Sequence, residues 1–210
     1  MADWVTISSL ASAGSTIVLA IATFSSVRSA NRSARTAERA LQAGLRAVLV
    51  PSRPEAPEEK MRWVDGHWTR LPGGQAHAEL EDGVIYLAIS VRNVGAGLGV
   101  LHGWHLVPWQ RMSTDPHADP SEFRRQTRDL YVPTGDTSYW QAAIRDEHDE
   151  LFGELATTID ERKPFSVDLL YSDHEGGQRT ISRFLISPMT DKGWFTSVGR
   201  HWNVDRADPR

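Results

Sequence analysis

Asp173, His174 and Glu175 stand side by side in front of Gly176-Gly177, where a carboxylate could orient an imidazole and glycines could expose both. Neighbours on a strand point in alternating directions, and at a hairpin tip they splay into water, so a turn is the expected role. His102 and His105, in "HGWH", are three residues apart. On a helix that spacing suits a shared metal; on a strand the same alternation puts the two rings on opposite faces. The acidic run Asp146, Glu147, His148, Asp149, Glu150 lacks the glycine-punctuated loop of a calcium site and reads as a solvated helix start. Ser172 and Ser182 carry no local mark of an activated nucleophile.

Two further features invite a chemical reading. "NVGAGLG" contains closely spaced glycines, but a phosphate-cradling loop needs a helix N-terminus behind it, and a strand pattern follows instead. The glycines are expected to form a tight turn or bulge. The eight tryptophans include three beside histidine: His67-Trp68, Trp104-His105 and His201-Trp202. Most are expected in the core, each with a partner for its indole N–H, with a binding surface as the alternative. Cysteine is absent, which removes disulfides, thiolate metal sites and thiol nucleophiles. The sequence therefore designates no catalytic residue, no metal ligand and no cofactor.

The elements that position these residues are mostly short strands. "LRAVLVPSRP" predicts a strand over Ala47 to Val50, and "KMRWVDGHWTRL" two runs around Asp65-Gly66, the two-residue signal of a type I′ hairpin. "GVIYLAISVRNVG" is apolar on both faces, which predicts a fully buried strand. "GVLHGWHLVPW" continues the pattern. Asp119-Pro120-Ser121-Glu122 has the cap, proline and glutamate of a short helix through Gln126, and "DEHDELFGELATTID" predicts a second helix. "DLYVPTGDTSYWQAAIRD" predicts strands around a turn at Pro133 to Asp136. "PFSVDLLYSD" and "QRTISRFLISP" predict a hairpin across His174 to Gly177, and "GWFTSVGRHWNVD" a last strand or docked tail. The fold class expected over residues 46–210 is an antiparallel β-sandwich with two short helices.

Residues 1–45 differ in kind. Between Asp3 and Arg28 lie 24 residues without a formal charge, a helix of about 36 Å against a hydrocarbon core of roughly 30 Å. Trp4, Leu10, Ile17, Leu19, Ile21 and Phe24 are the expected membrane-facing residues. Ser8, Ser12, Thr16 and Ala20 recur every fourth residue as a ridge of small side chains, which predicts helix packing and self-association in the bilayer. Arg28, Arg32, Arg35 and Arg39 follow on one helical face, placed to meet anionic lipid head groups. A cleaved secretory signal has its basic residues before the apolar run, the reverse of this order. Positive charge beyond the C-terminal end of the span predicts that residues 46–210 stay on the cytoplasmic side of the plasma membrane.

Net charge sharpens the contrast. Residues 1–46 carry +3 and the rest −7, and an acidic body excludes nucleic acid as a partner. The expected partners are a lipid bilayer, a second copy of the span and a protein the sequence does not identify.

"ISVRNVGAGLGVL", "LLYSDHEGGQRTISRF" and "RHWNVD", behind a span and an arginine-rich helix, resemble a group of single-span actinobacterial membrane proteins with a β-sandwich-like domain. The "NVG" turn is also similar to bacterial immunoglobulin-like repeats. The first likeness covers nearly the whole chain but implies no activity and transfers no functional residue. The reading is a non-catalytic interaction module anchored at the cytoplasmic face. The alternatives are an anchored hydrolase or metal enzyme using Asp173, His174, His102 or His105, and, with inverted topology, an extracytoplasmic polysaccharide binder. Two or more histidines and a carboxylate converging in one pocket would favour the enzyme, and a flat tryptophan-bearing face without such a pocket would favour binding.

Overall fold

The computed structural model describes residues 4–107, 116–190 and 193–205, with the side chains of residues 4–11, 43 and 129 left aside. The chain divides into two units, Met1–Ala43 and Gly44–Arg210. The first is the helix α1, Trp4–Leu45, 42 residues long. Its described apolar side chains as far as Leu41 stand exposed.

The second unit is mainly β, as the strand patterns predict. Its strands are β1 (Leu49–Pro51), β2 (Glu59–Arg62), β3 (Trp68–Leu71), β4 (Gln75–Glu81), β5 (Val84–Asn93) and β6 (Gly99–Val107). They continue as β7 (Arg124–Val132), β8 (Thr137–Ile144), β9 (Phe165–Ser172), β10 (Thr180–Pro188) and β11 (Trp194–Asn203). Among the described residues one α-helix, α2 (Phe152–Asp160), interrupts them and lays Leu155 into the core.

Nine strands form one antiparallel sheet in the order β1-β5-β4-β11-β10-β9-β6-β7, with β8 also on β5. The sheet curls so that the inner faces of β4, β5, β6, β8, β9, β10 and β11 enclose one core around Trp140, Tyr171, Phe165 and Phe184. Where the curl brings its ends near, Gln126 Nε2 of β7 donates to the Gln141 carbonyl of β8 at 3.1 Å. β2 and β3 form a separate two-stranded ribbon that folds over the outer face of β5, burying Met61, Trp63 and Leu71 against Tyr86 and Ala88. A third cluster, Phe123, Leu170, Ile181 and Trp202, covers the opposite outer face.

β9 is buried at every position, which explains a run without alternation. Its outer face carries Asp168, fully buried, gripped by Arg183 Nε and Nη2 at 2.7 and 2.8 Å from the paired position on β10. Arg183 in turn lies 4.9 Å from the Trp202 ring. A buried charge this well paired specifies the β9–β10 register, because a slip leaves both groups uncompensated.

The glycine-rich "NVGAGLG" segment is a corner. Asn93, fully buried, donates from Nδ2 to the Gly97 and Val132 carbonyls at 2.7 and 2.9 Å, and its Oδ1 accepts from Val48 and Gly95 N–H at 3.2 and 2.9 Å. One amide thus ties β1, β7 and the loop together. A Cβ on Gly95 or Gly97 would collide with the Arg46 or Leu45 carbonyl, so these glycines serve close approach of the chain to itself, not to phosphate.

Several local expectations change. The Asp65-Gly66 turn is not type I′: only Gly66 has a positive φ, 92°, and Trp63 N–H donates to the His67 carbonyl across a three-residue loop. The positive-φ pair sits at Asp82 and Gly83, 50° and 74°, joining β4 to β5. Asp119 caps as expected, accepting from Ser121 N–H at 2.9 Å, but the helix stops after the single 3-10 turn Pro120–Glu122. Burial of Phe123 pulls the chain into β7, so Gln126 is a strand residue. The acids Asp146 to Glu150 precede α2 rather than open it, and the beginning of the predicted β1, at Ala47, is irregular. The end of the "GVLHGWHLVPW" pattern, Pro108-Trp109, lies outside the described residues.

Two outcomes follow. Asn93→Ala leaves four backbone groups without their partner and is expected to cost about 3 kcal/mol, measured by denaturant unfolding of the solubilised chain. The Asp149 carboxyl is held below the usual carboxylate range, chiefly by Arg124, which donates to it at 2.5 and 2.6 Å. That stabilisation is complete above the unfolded value, about 4, and is lost as the pH falls through the lower folded value. Asp149→Asn should therefore flatten the acid limb of a stability-versus-pH curve.

Candidate functional site

The residues singled out in the second unit do not converge. Asp173 is buried and spends its carboxylate on its own turn, accepting from Glu175 N–H, Gly177 N–H and Gln178 Nε2 at 3.1, 3.0 and 3.2 Å. His174 and Glu175 are exposed at the tip, as expected of a hairpin. His102 and His105 do not take opposite faces. A bulge between Leu101 and Gly103 resets the alternation, so Leu101 and Trp104 both enter the core and both histidines stay outside it. They have separate contacts: His102 Nε2 meets Ser172 Oγ at 2.7 Å, and the His105 ring lies 5.7 Å from Phe123. Ser182 Oγ meets His201 Nδ1 at 2.6 Å, but it is fully buried and also shared with Tyr171 Oη at 2.7 Å. That is a core hydrogen-bond chain rather than a nucleophile facing a cleft. Trp63, Trp104, Trp140, Trp194 and Trp202 are buried, and Trp68 is exposed on the ribbon.

In α1, Ile17, Leu19, Ile21 and Phe24 are 60 to 69% exposed. Ser12, Thr16, Ala20, Arg28, Arg32, Arg35 and Arg39 are likewise exposed, while the side chains of Trp4, Ser8 and Leu10 lie outside the described residues. Three of the hydroxyls between Ser12 and Val27 are satisfied by the helix backbone itself. Thr16 and Thr23 donate to the carbonyls of Ser12 and Leu19, at 2.9 and 2.8 Å, and Ser25 to that of Ala22 at 2.9 Å. A serine- and threonine-rich helix is thereby compatible with an apolar surrounding, since those groups need no water. Within Ser12–Gln42 the helix is long and apolar enough to cross a membrane, its most apolar 18-residue window having a mean hydropathy of 1.2.

The convergence that does occur was not singled out from the sequence. β4 alternates Ala76 and Ala78 into the main core with His77, Glu79 and Glu81 on the outer face, where the ribbon folds over. The ribbon's turn brings His67 there. Asp65 locks that turn: its carboxylate accepts from His67 N–H and Tyr86 Oη at 3.1 and 3.0 Å, and from Arg145 at 2.8 and 3.1 Å. Its carboxyl is held below the usual range: desolvation, the largest single effect, pushes the other way, and the hydrogen bonds from Arg145, His67 N–H and Tyr86 outweigh it together. The His67 ring lies flat on Tyr86, centroids 3.9 Å apart at 13°, with Trp63 at 5.2 Å.

Thus fixed, His67 Nδ1 lies 2.9 Å from Glu81 Oε2, and its Nε2 is 3.9 Å from Glu79 Oε2. His77 Nε2 is 3.2 Å from the same Glu79 oxygen. Both Nε2 atoms are buried, and neither has a hydrogen-bond partner; the short approach to Glu79 lies off the hydrogen-bonding direction. Burial, and then the neighbouring His67, pull His77 down to about 4 against a smaller opposing effect of Glu81, so its imidazole is neutral at physiological pH. One donor atom from each of His67, His77 and Glu79 lies within 4.8 Å of the other two. The signal available in the sequence was the alternation His77-x-Glu79-x-Glu81 on one strand, but only the fold brings His67 to it.

No family model matches the chain, and no curated protein or solved structure shows significant similarity to it.

Asp65 is the pin that places His67. Asp65→Ala removes the acceptor of three groups and is expected to lower stability by about 2 kcal/mol, read from denaturant unfolding. Tyr86→Phe removes one of those bonds and should cost less.

Proposed function

We propose that the chain is a single-pass, non-catalytic interaction module whose β unit is held at the cytoplasmic face of the plasma membrane by α1. The observation that carries this reading is the exposed apolar surface of α1 from Ile17 to Val27. Each large apolar side chain left in water forgoes roughly 1.5–3 kcal/mol, and Ile17, Val18, Leu19, Ile21, Phe24 and Val27 are all more than half exposed. Lipid removes that cost. Arg28, Arg32, Arg35 and Arg39 set the orientation, because arginine flanking a span is retained on the cytoplasmic side. There they contact anionic head groups at about 1 kcal/mol each.

Within the bilayer, the ridge of Ser8, Ser12, Thr16 and Ala20 supports self-association, since small side chains let two helices approach closely. For a protein partner, the ribbon offers Val64, 90% exposed at its tip, and Trp68. The acidic balance of the second unit disfavours nucleic acid there.

Reporter fusions at the C-terminus test the reading. A cytoplasmic fluorescent reporter is expected to be active and alkaline phosphatase silent, with the chain in the membrane fraction after an alkaline wash. Active phosphatase would reverse the orientation, and recovery of the untreated chain in the supernatant would remove the anchor.

A further inference from the structure

We propose that His67, His77 and Glu79 form a binding site for a divalent transition-metal ion, zinc by the chemistry of the donors, with Glu81 orienting His67 from behind. The inference is independent of the membrane reading. It revises the expectation, drawn from the sequence, of a chain without a metal ligand.

Geometry comes first. A tetrahedral zinc ion with bonds of about 2.0 Å places its ligand atoms roughly 3.3 Å apart. Glu79 Oε2 stands 3.2 Å from His77 Nε2 and 3.9 Å from His67 Nε2, so a shift of a few tenths of an ångström in a half-exposed glutamate brings its two edges to that length, and all three donor atoms already lie within 4.8 Å of one another. The tautomer of His67 also fits. A metal on Nε2 requires the tautomer with the ring proton on Nδ1, and Glu81 Oε2, an acceptor, stands 2.9 Å from that nitrogen. This carboxylate–imidazole–metal arrangement is the one that fixes and strengthens metal-binding histidines.

The orphaned nitrogens point the same way. Buried polar atoms are nearly always hydrogen-bonded, and an unpaired one asks for an ion or a water. Here two imidazole nitrogens with no hydrogen-bond partner lie beside one carboxylate oxygen. Two imidazoles and a carboxylate suit zinc and its neighbours in the transition series, whereas calcium and magnesium take oxygen ligands. Glu79 and Glu81 together balance the charge of a divalent ion. Three protein donors leave the fourth position to water or to a donor from a partner.

The site is preorganised rather than assembled by the ion. His67 is held by stacking on Tyr86 and by the Asp65 turn, and His77 by the strand pairing of β4 with β5. The ion would join the ribbon to the main sheet, so binding should also raise the unfolding temperature.

The test uses the full chain in detergent, stripped with a chelator and titrated with zinc chloride by calorimetry. Cobalt(II) serves as an optical probe of coordination number. One-to-one saturable zinc binding is expected, with a rising unfolding midpoint and the visible bands of four-coordinate cobalt. His67→Gln, His77→Gln and Glu79→Gln should each weaken zinc binding at least 10-fold, and Glu81→Gln about 10-fold through its effect on His67. His148→Gln, at an exposed histidine beside Asp146, should bind as the unaltered chain does. Circular dichroism checks that the variants fold, and Glu79→Gln, at a half-exposed position, gives a reading even if His77→Gln does not fold. Absence of saturable binding overturns the proposal, as does undiminished binding by folded His67→Gln and Glu79→Gln.

Discussion

The pairing of β5 on both edges and its burial on both faces is the constraint from which the second unit is built. β8 lies along one edge, and β4 and then β1 share the other. Ile85, Leu87, Ile89 and Val91 face the main core, while Tyr86 and Ala88 face the ribbon. A strand so enclosed has no freedom to slip, because a one-residue shift would exchange the two apolar sets and uncouple both neighbours. Asn93 at its end carries the corner to β7, and Tyr86 in its middle is the platform for His67.

Several polar groups inside this unit are fully used. Asn93 makes all four of its hydrogen bonds, Asp168 is gripped twice by Arg183, and Asp173 is consumed by its own turn. Other buried polar atoms, among them Trp140 Nε1, Ser166 Oγ and Thr196 Oγ1, also lack a hydrogen-bond partner, but the nitrogens of His67 and His77 differ from these in lying beside one carboxylate oxygen.

The two units treat their apolar surface differently. The second removes apolar surface by curling a sheet around itself and covering its outer faces with a ribbon and with the Phe123–Trp202 cluster. α1 leaves its described apolar surface open and instead satisfies its threonine hydroxyls along its own backbone. The first strategy suits water and the second a lipid phase.

Local information in the sequence determined the helix from Trp4, the strand character of "GVIYLAISVRN", the β9–β10 hairpin and the turn role of Asp173 and Gly177, because periodicity and turn chemistry act over neighbouring residues. It did not mark β4, whose "QAHAELE" mixes alanine with charge and is apolar only toward one side. It also placed His102 and His105 on opposite faces, because a bulge that inserts one residue has no composition of its own. The sequence supplied His67, His77 and Glu79 as residue types. Tertiary structure alone decided that they meet, because only the folding of the ribbon over β4 and β5 brings a turn and a distant strand to one place.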